Sequence, residues 1–148
     1  MTYPLFSDEY FINEALKEAE KAYEQDEVPV GAVVVSNQRI IARGSNMTEQ
    51  LHDVTAHAEM IALTSAANFL GSKYLNECTM YITLEPCLMC AAALNWAQLS
   101  RLVFGASDDK AGYHTVEAPV LHPKTEIKFG VLEQECSLLL KEFFNGKR

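Results

Sequence analysis

His57-Ala58-Glu59 and Pro86-Cys87-Leu88-Met89-Cys90 hold the side chains of this sequence best suited to chemistry. One imidazole and two thiols can supply three ligands to a zinc ion, leaving the fourth coordination position open. An open position marks a catalytic zinc site, because structural sites are closed by four protein ligands. Glu59 stands two residues from His57 and can act on whatever fills that position. Zinc lowers the pKa of a bound water towards neutrality, so a carboxylate beside it can take the proton and return it to a substrate.

Each half alone is a weak signal. Cys-x-x-Cys also fits a thioredoxin-like redox pair, and four cysteines could form a disulfide framework. A domain of this size with no secretory signal makes metal binding or burial the better reading. A histidine on a helix is usually a packing or surface residue, and a glutamate is usually solvated. Both halves together, in this order, favour a metal. A closed, purely structural zinc would need a fourth ligand from Cys78, Cys136, His52, His114 or His122, and none has convincing spacing. Cys78 and Cys136 read more simply as small buried hydrophobes.

The elements that must position these groups follow from the apolar pattern. Ser7 caps a helix with Asp8 and Glu9 in its first turn, and Ile12, Ala15, Leu16, Ala19, Ala22 and Tyr23 recur at helical spacing to about Gln25. The runs 30–35 and 39–43, separated by Ser36-Asn37-Gln38, form a β-hairpin. Thr55 or Asp53 can cap a second helix carrying Met60, Ile61, Leu63 and Ala67 and ending near Gly71. Residues 79–84 make a third strand. Pro86 suits the first turn of a third helix running to about Ala97, apolar on nearly all sides and so expected to be deeply packed. Leu102-Val103-Phe104 is a fourth strand ended by Gly105, and Ile127-Lys128-Phe129 can add a fifth. Residues 108–124 read as loop with one short helical turn, and a last helix spans 133–144. A hairpin followed by alternating helices and strands indicates one domain, 1–148, built as a three-layer α/β/α sandwich on a mixed sheet of about five strands.

Two helix starts, each following a strand, can deliver the ligands to one cleft outside the strand ends. Cys87 and Cys90 share a face over the first turn, where the helix dipole favours the thiolate that zinc requires. Glu59 lies two positions after His57, not the four that align a zincin's His-Glu-x-x-His. At a helix start, two such side chains can still meet, one from the end and one from the flank.

Composition bounds the rest. The 148 residues are 49% hydrophobic and 22% charged, ordinary for a globular domain. No apolar run approaches the roughly 18–20 residues of a membrane span, and the first residues carry no secretory pattern, so the expected location is the cytoplasm. The net charge of −8 argues superficially against a nucleic-acid partner. Residues 1–60 carry eleven acids against four bases, mostly on the first helix, where a solvated outer face is expected; residues 101–148 carry seven of each sign. Overall charge is therefore a poor guide to whether one face binds a polyanion.

His-x-Glu followed by Pro-Cys-x-x-Cys resembles the signature of the zinc-dependent nucleobase deaminase superfamily. Finer text resembles one branch, the bacterial tRNA-specific adenosine deaminases: Val28-Pro29-Val30-Gly31-Ala32-Val33, Gly44-Ser45-Asn46, Thr55-Ala56-His57-Ala58-Glu59, Leu84-Glu85-Pro86-Cys87-Leu88-Met89-Cys90-Ala91, Phe104-Gly105-Ala106 and Asp108-Asp109-Lys110-Ala111-Gly112. The closing stretch 139–144 looks like that branch too. The resemblance implies a cytidine deaminase-like fold, one zinc per subunit on His57, Cys87 and Cys90, Glu59 as general acid/base, and Asn46 on the base edge. It also implies a homodimer that takes the anticodon arm of a tRNA, with no membrane and no organic cofactor. The wobble adenosine would leave the stack and become inosine as a zinc-activated hydroxide adds to C6. Glu59 would protonate the ring nitrogen and then the departing amine. For Asn46, a Gly-Ser-Asn turn ending a strand is a competing reading.

The sequence departs from the branch in two places. Asp53-Val54-Thr55 replaces the usual Asp-Pro-Thr, and Tyr113-His114-Thr115 replaces a small-residue loop near the flanking nucleotides. Tyr113 could stack on a base or simply pack. Phe143, Phe144, Lys147 and Arg148 form an end suited to RNA, or equally a docked helix with a frayed tail. One rival keeps the chemistry and changes the substrate to guanine, a free nucleoside or a nucleotide. Another is a zinc-stabilised binding module without catalysis, against which the intact Glu59 speaks.

Overall fold

Val33 and Val35 point to one side of strand β1 (Gly31–Ser36) and Ala32 and Val34 to the other, and all four are buried. Such a strand must lie inside a sheet covered on both faces. The computed structural model, which describes residues 2–147, shows that arrangement. Strand β1 pairs antiparallel with β2 (Arg39–Ser45) and with β3 (Thr79–Leu84). Strands β4 (Arg101–Ala106) and β5 (Glu126–Phe129) then add in parallel, giving the order β2-β1-β3-β4-β5. The hairpin turn holds Asn37 at φ 52° and Gln38 at φ 63°, the twist that suits a two-residue connection.

Helices α1 (Asp8–Glu24) and α4 (Glu133–Asn145) cover the face carrying Val33, Val35, Tyr81 and Val103. Helices α2 (Ala58–Leu70) and α3 (Leu88–Trp96) belong to the layer against Ala32, Val34, Met80, Ile82, Leu102 and Phe104. The result is the expected three-layer α/β/α sandwich on a mixed five-stranded sheet. Gly44 lets α2 lie directly on β2, since a Cβ there would stand 2.5 Å from the Ala58 carbonyl oxygen. None of the described helices is long and apolar enough to cross a membrane.

Three details of these elements differ from the sequence expectations, and at the C-terminal end the docked reading holds. Strand β4 passes through Gly105 and ends at Ala106. The acidic face of α1 is only partly solvated: Glu14 and Glu18 are buried, and Arg43 of β2 reaches them at 2.7 and 3.2 Å. A helix laid across a sheet meets the basic residues of that sheet, which composition alone does not reveal. Helix α3 is not packed all round; Cys90, Ala91 and Leu94 are buried whereas Leu88, Met89 and Trp96 are exposed. Its Ala-rich pattern concealed which side meets the sheet. The C-terminal end docks: Phe143 is buried edge-on to Tyr23, and Lys147 lies over the Phe143 ring and pairs with Asp26. Arg148 lies outside the described residues.

Asp8, in the first turn of α1, ties that helix to three strands. Arg101 of β4 grips both its oxygens at 2.8 and 3.0 Å, Tyr81 of β3 donates at 2.9 Å, and Lys128 of β5 donates at 2.9 Å. The hydrogen bond from Arg101 chiefly holds the Asp8 carboxyl well below its ordinary value of 3.8. A depressed carboxylate pKa stabilises the fold above the unfolded value, and that contribution is lost as pH falls. Asp8→Asn should therefore cost roughly 1–2 kcal/mol at neutral pH in denaturant unfolding. The gap from the unsubstituted protein should close as pH drops below 3.8.

Candidate active site

Both ligand-bearing helices begin on the residue that matters. His57 is the N-cap of α2, with extended backbone at φ −74°, ψ 156°, and Cys87 is the N-cap of α3 at φ −71°, ψ 173°. The caps expected at Thr55 or Asp53 do not form. Asp53 instead accepts the backbone N–H and hydroxyl of Thr55 at 2.8 and 2.7 Å, closing a turn ahead of the helix. Val54 projects into solvent at 84% exposure, so the departure from Asp-Pro-Thr touches no ligand. Pro86 sits just before the cap rather than in the first turn, and its carbonyl accepts the Tyr113 N–H at 3.0 Å.

The His57 Nδ1 atom lies 3.7 Å from Cys87 Sγ and 3.5 Å from Cys90 Sγ, and the three ligand atoms fall within 4.8 Å of one another. Tetrahedral zinc with ordinary Zn–S and Zn–N bonds holds its ligand atoms about 3.5–3.8 Å apart. The donor set and its spacing therefore fit zinc. Among the described residues this is the only such group; Cys78, Cys136, His52, His114 and His122 stay outside it. Cys78 and Cys136 are buried, as small hydrophobes would be.

In the thiol pair, the Cys90 S–H hydrogen-bonds to Cys87 and lowers the Cys87 thiol to about 5. The same contact, aided by burial, drives Cys90 strongly upward. Cys87 is thus already a thiolate near neutrality, and Cys90 keeps the shared proton.

Glu59 occupies the first turn of α2 and is only 4% exposed. Burial lifts its carboxyl to about 7, against the pull of a backbone hydrogen bond and of His57. With His57 on extended backbone outside the helix, a spacing of two brings both residues to the wall of one cavity of about 280 Å³. That volume lies near the lower end for ligand pockets and suits a single base. Asn46, directly after β2, is buried and lines the same cavity; its backbone N–H goes to the Val30 carbonyl at 3.1 Å. It thus both ends a strand and lines the cavity.

Two buried carboxylates escaped the sequence reading. Glu27 is 1% exposed and accepts the backbone N–H groups of Glu49 and Gln50 at 3.2 and 2.9 Å, fixing the segment that follows Asn46. Glu85 lines the cavity and anchors Asp108 and His114. An acid between an apolar strand and a Pro-Cys helix start was a usable signal for Glu85. The loop residues Asp108 and Ala111 also line the cavity. Tyr113 packs, half-buried, edge-on to Phe104 with ring centres 6.2 Å apart, which supports its packing reading.

An α/β/α sandwich with an imidazole, two thiols and a buried carboxylate around one base-sized cavity defines a zinc-dependent hydrolytic deaminase. Residues 6–106 match the family described as the cytidine and deoxycytidylate deaminase zinc-binding region. The chain belongs to that family and, within it, to the tRNA-specific adenosine deaminases. It is 43% identical over 145 residues to the tRNA-specific adenosine deaminase of Aquifex aeolicus (strain VF5), covering 95% of each chain. A solved structure from work on A-to-I editing by tRNA:A34 deaminases superposes with a TM-score of 0.83 at 42% identity, covering 88% of this chain and 98% of the other. The guanine deaminase of Bacillus subtilis is similar over a shorter span, with a TM-score of 0.65 at 35% identity, covering 68% of this chain and 65% of the other.

Zinc titrated into metal-free protein at pH 7 should displace about one proton from the thiol pair rather than two, because only Cys90 still carries its proton. Calorimetry in buffers of different ionisation enthalpy checks this.

Proposed function

We propose that the protein deaminates the wobble adenosine in the anticodon arm of tRNA to inosine, in the cytoplasm, with the chain acting as one domain. The observation that carries this reading is the single cavity lined by Glu59, Asn46 and two of the candidate ligands, His57 and Cys87, with the third, Cys90, buried beside them. The near full-length likeness to tRNA-specific adenosine deaminases at 42–43% identity supports the choice of substrate, whereas the guanine deaminases are less similar in sequence, at 35% and 23% identity.

His57, Cys87 and Cys90 would hold one zinc ion. When bound, that ion acts as a Lewis acid that makes water nucleophilic at neutral pH. Glu59 carries one water proton to the adenine ring nitrogen and then the second, from the oxygen added at C6, to the leaving amine. Adenosine and water are consumed, and inosine and ammonia are formed. A carboxyl poised near 7 suits such two-way transfer, and a neighbouring dication draws it towards the ionised form needed at the start. Asn46 offers an amide donor and acceptor to the base edge. A cavity this small admits a base only after it has left the anticodon stack.

Leu88 and Met89, in the Cys87–Cys90 turn, and Trp96, at the far end of α3, are exposed apolar residues. Exposed apolar side chains along one helix favour burial against a second copy, and we assign the homodimer interface to the outer side of α3.

Glu59→Gln should retain one zinc per chain and lose about 10²–10⁴-fold in kcat. Metal analysis and single-turnover assays read the two effects separately, and near-normal turnover would remove Glu59 from the proton path. Ammonia release should occur from an anticodon stem-loop RNA with adenosine at the wobble position. Release from guanine or free adenosine alone would transfer the protein to the small-molecule deaminases. Trp96→Asp should shift sedimentation from dimer to monomer.

A further inference from the structure

Glu85 leaves β3 with its side chain 1% exposed and takes no part in the proton transfers above. Instead it gathers a loop. One carboxylate oxygen accepts the Asp108 N–H at 3.0 Å, and the other accepts the His114 N–H at 2.9 Å. The two ends of the segment 108–114 are thus closed on one group. Inside it, Asp108 accepts the N–H groups of Lys110 and Ala111, each at 3.0 Å, and its carbonyl accepts the Gly112 N–H at 3.0 Å. Gly112 leaves room for the anchor, since a Cβ there would lie 2.5 Å from a Glu85 oxygen.

The imidazole of His114 completes the grip from outside. Its Nδ1 stands 2.7 and 2.8 Å from the two Glu85 oxygens, and its Nε2 stands 3.5 Å from Asp109. The hydrogen bond to Glu85 raises the imidazole above its ordinary value of 6.5. The ring is 48% exposed, so it is a cover rather than part of the core. Asp108 and Ala111, held in this loop, form part of the cavity wall. His114 also stands where the sequence departs from its branch.

We propose that His114 is a positioning residue for the RNA: by clamping Glu85 it holds the 108–114 loop as a preformed wall against which the target nucleotide docks. This rests on the tRNA reading above. A wall ordered before binding spares the complex the cost of ordering it, so the clamp acts on binding more than on the chemical step.

The test measures kcat, KM, zinc content and melting temperature for the unsubstituted protein, His114→Ala and His114→Asn on an anticodon stem-loop RNA. Binding of the same RNA is measured in a Glu59→Gln background. His114→Ala loses one charge-assisted hydrogen bond, so KM and the RNA Kd should rise about tenfold, with kcat changed by less than about threefold. Zinc content should stay at one per chain. His114→Asn, whose amide can still donate to Glu85 from the Nδ1 position, should recover most of the affinity. Unchanged KM and Kd in His114→Ala would overturn the proposal, as would a loss confined to kcat or a loss that His114→Asn does not relieve. If the unsubstituted protein itself fails to act on the stem-loop, the tRNA reading falls and this inference with it.

Discussion

Strand β1 runs antiparallel to both of its neighbours, and the site depends on that constraint. Two strands antiparallel to the one between them are parallel to each other, so β2 and β3 end at the same edge of the sheet. Parallel pairing then sends β4 and β5 the same way. Asn46 follows β2, Glu85 and Cys87 follow β3, and the 107–115 segment follows β4. Helix α2 starts at the same edge because Gly44 lets it lie back along β2. Every group that lines the cavity from these three connections is there because the strands agree in direction. Reversing any one pairing would carry its connection to the far edge and take a ligand, or the wall, with it.

The same geometry decides what the carboxylates of so acidic a chain face. The net charge of −8 counts carboxylates without regard to what they face. Glu14 and Glu18 face Arg43, and Asp8 faces Arg101 and Lys128. Glu27 and Glu85 are buried on backbone N–H groups, a placement that satisfies a carboxylate without any cation. The pI of about 4.9 therefore says little about any one face of the molecule.

Much of this was legible in the sequence, for reasons that vary by residue. Strands buried on both faces read as short continuous apolar runs and helices repeat near every third or fourth residue, so the elements and the three layers could be read from the apolar pattern. His57, Glu59, Cys87 and Cys90 could be grouped because their chemistry is specific. Other features were illegible because they arise from packing between distant segments. The pairing of Arg43 with Glu14 and Glu18 spans β2 and α1. The exposed side of α3 is invisible in a pattern of uniformly apolar residues, and the role of Glu85 exists only once β4 brings its loop alongside β3. The start of α2 was misjudged by two to four residues because Asp53 and Thr55 are good caps that bond each other instead.

That last detail bears on the chemistry. Had Thr55 capped the helix, His57 would lie inside the first turn and Glu59 about 200° around the axis from it, on the far side. Placing His57 at the cap frees it from helical geometry, so imidazole and carboxylate converge with a spacing of two. Cys87 repeats the device at the start of α3, leaving only Cys90 inside a helix. Two ligands set on extended backbone and one held one turn in can meet at tetrahedral spacing without distorting either helix. The ligand cluster is thus a property of two helix starts, whereas the substrate wall belongs to loops pinned by Glu27 and Glu85. The ligand geometry and the loop part of the cavity wall, Thr48, Asp108 and Ala111, therefore rest on different segments of the chain.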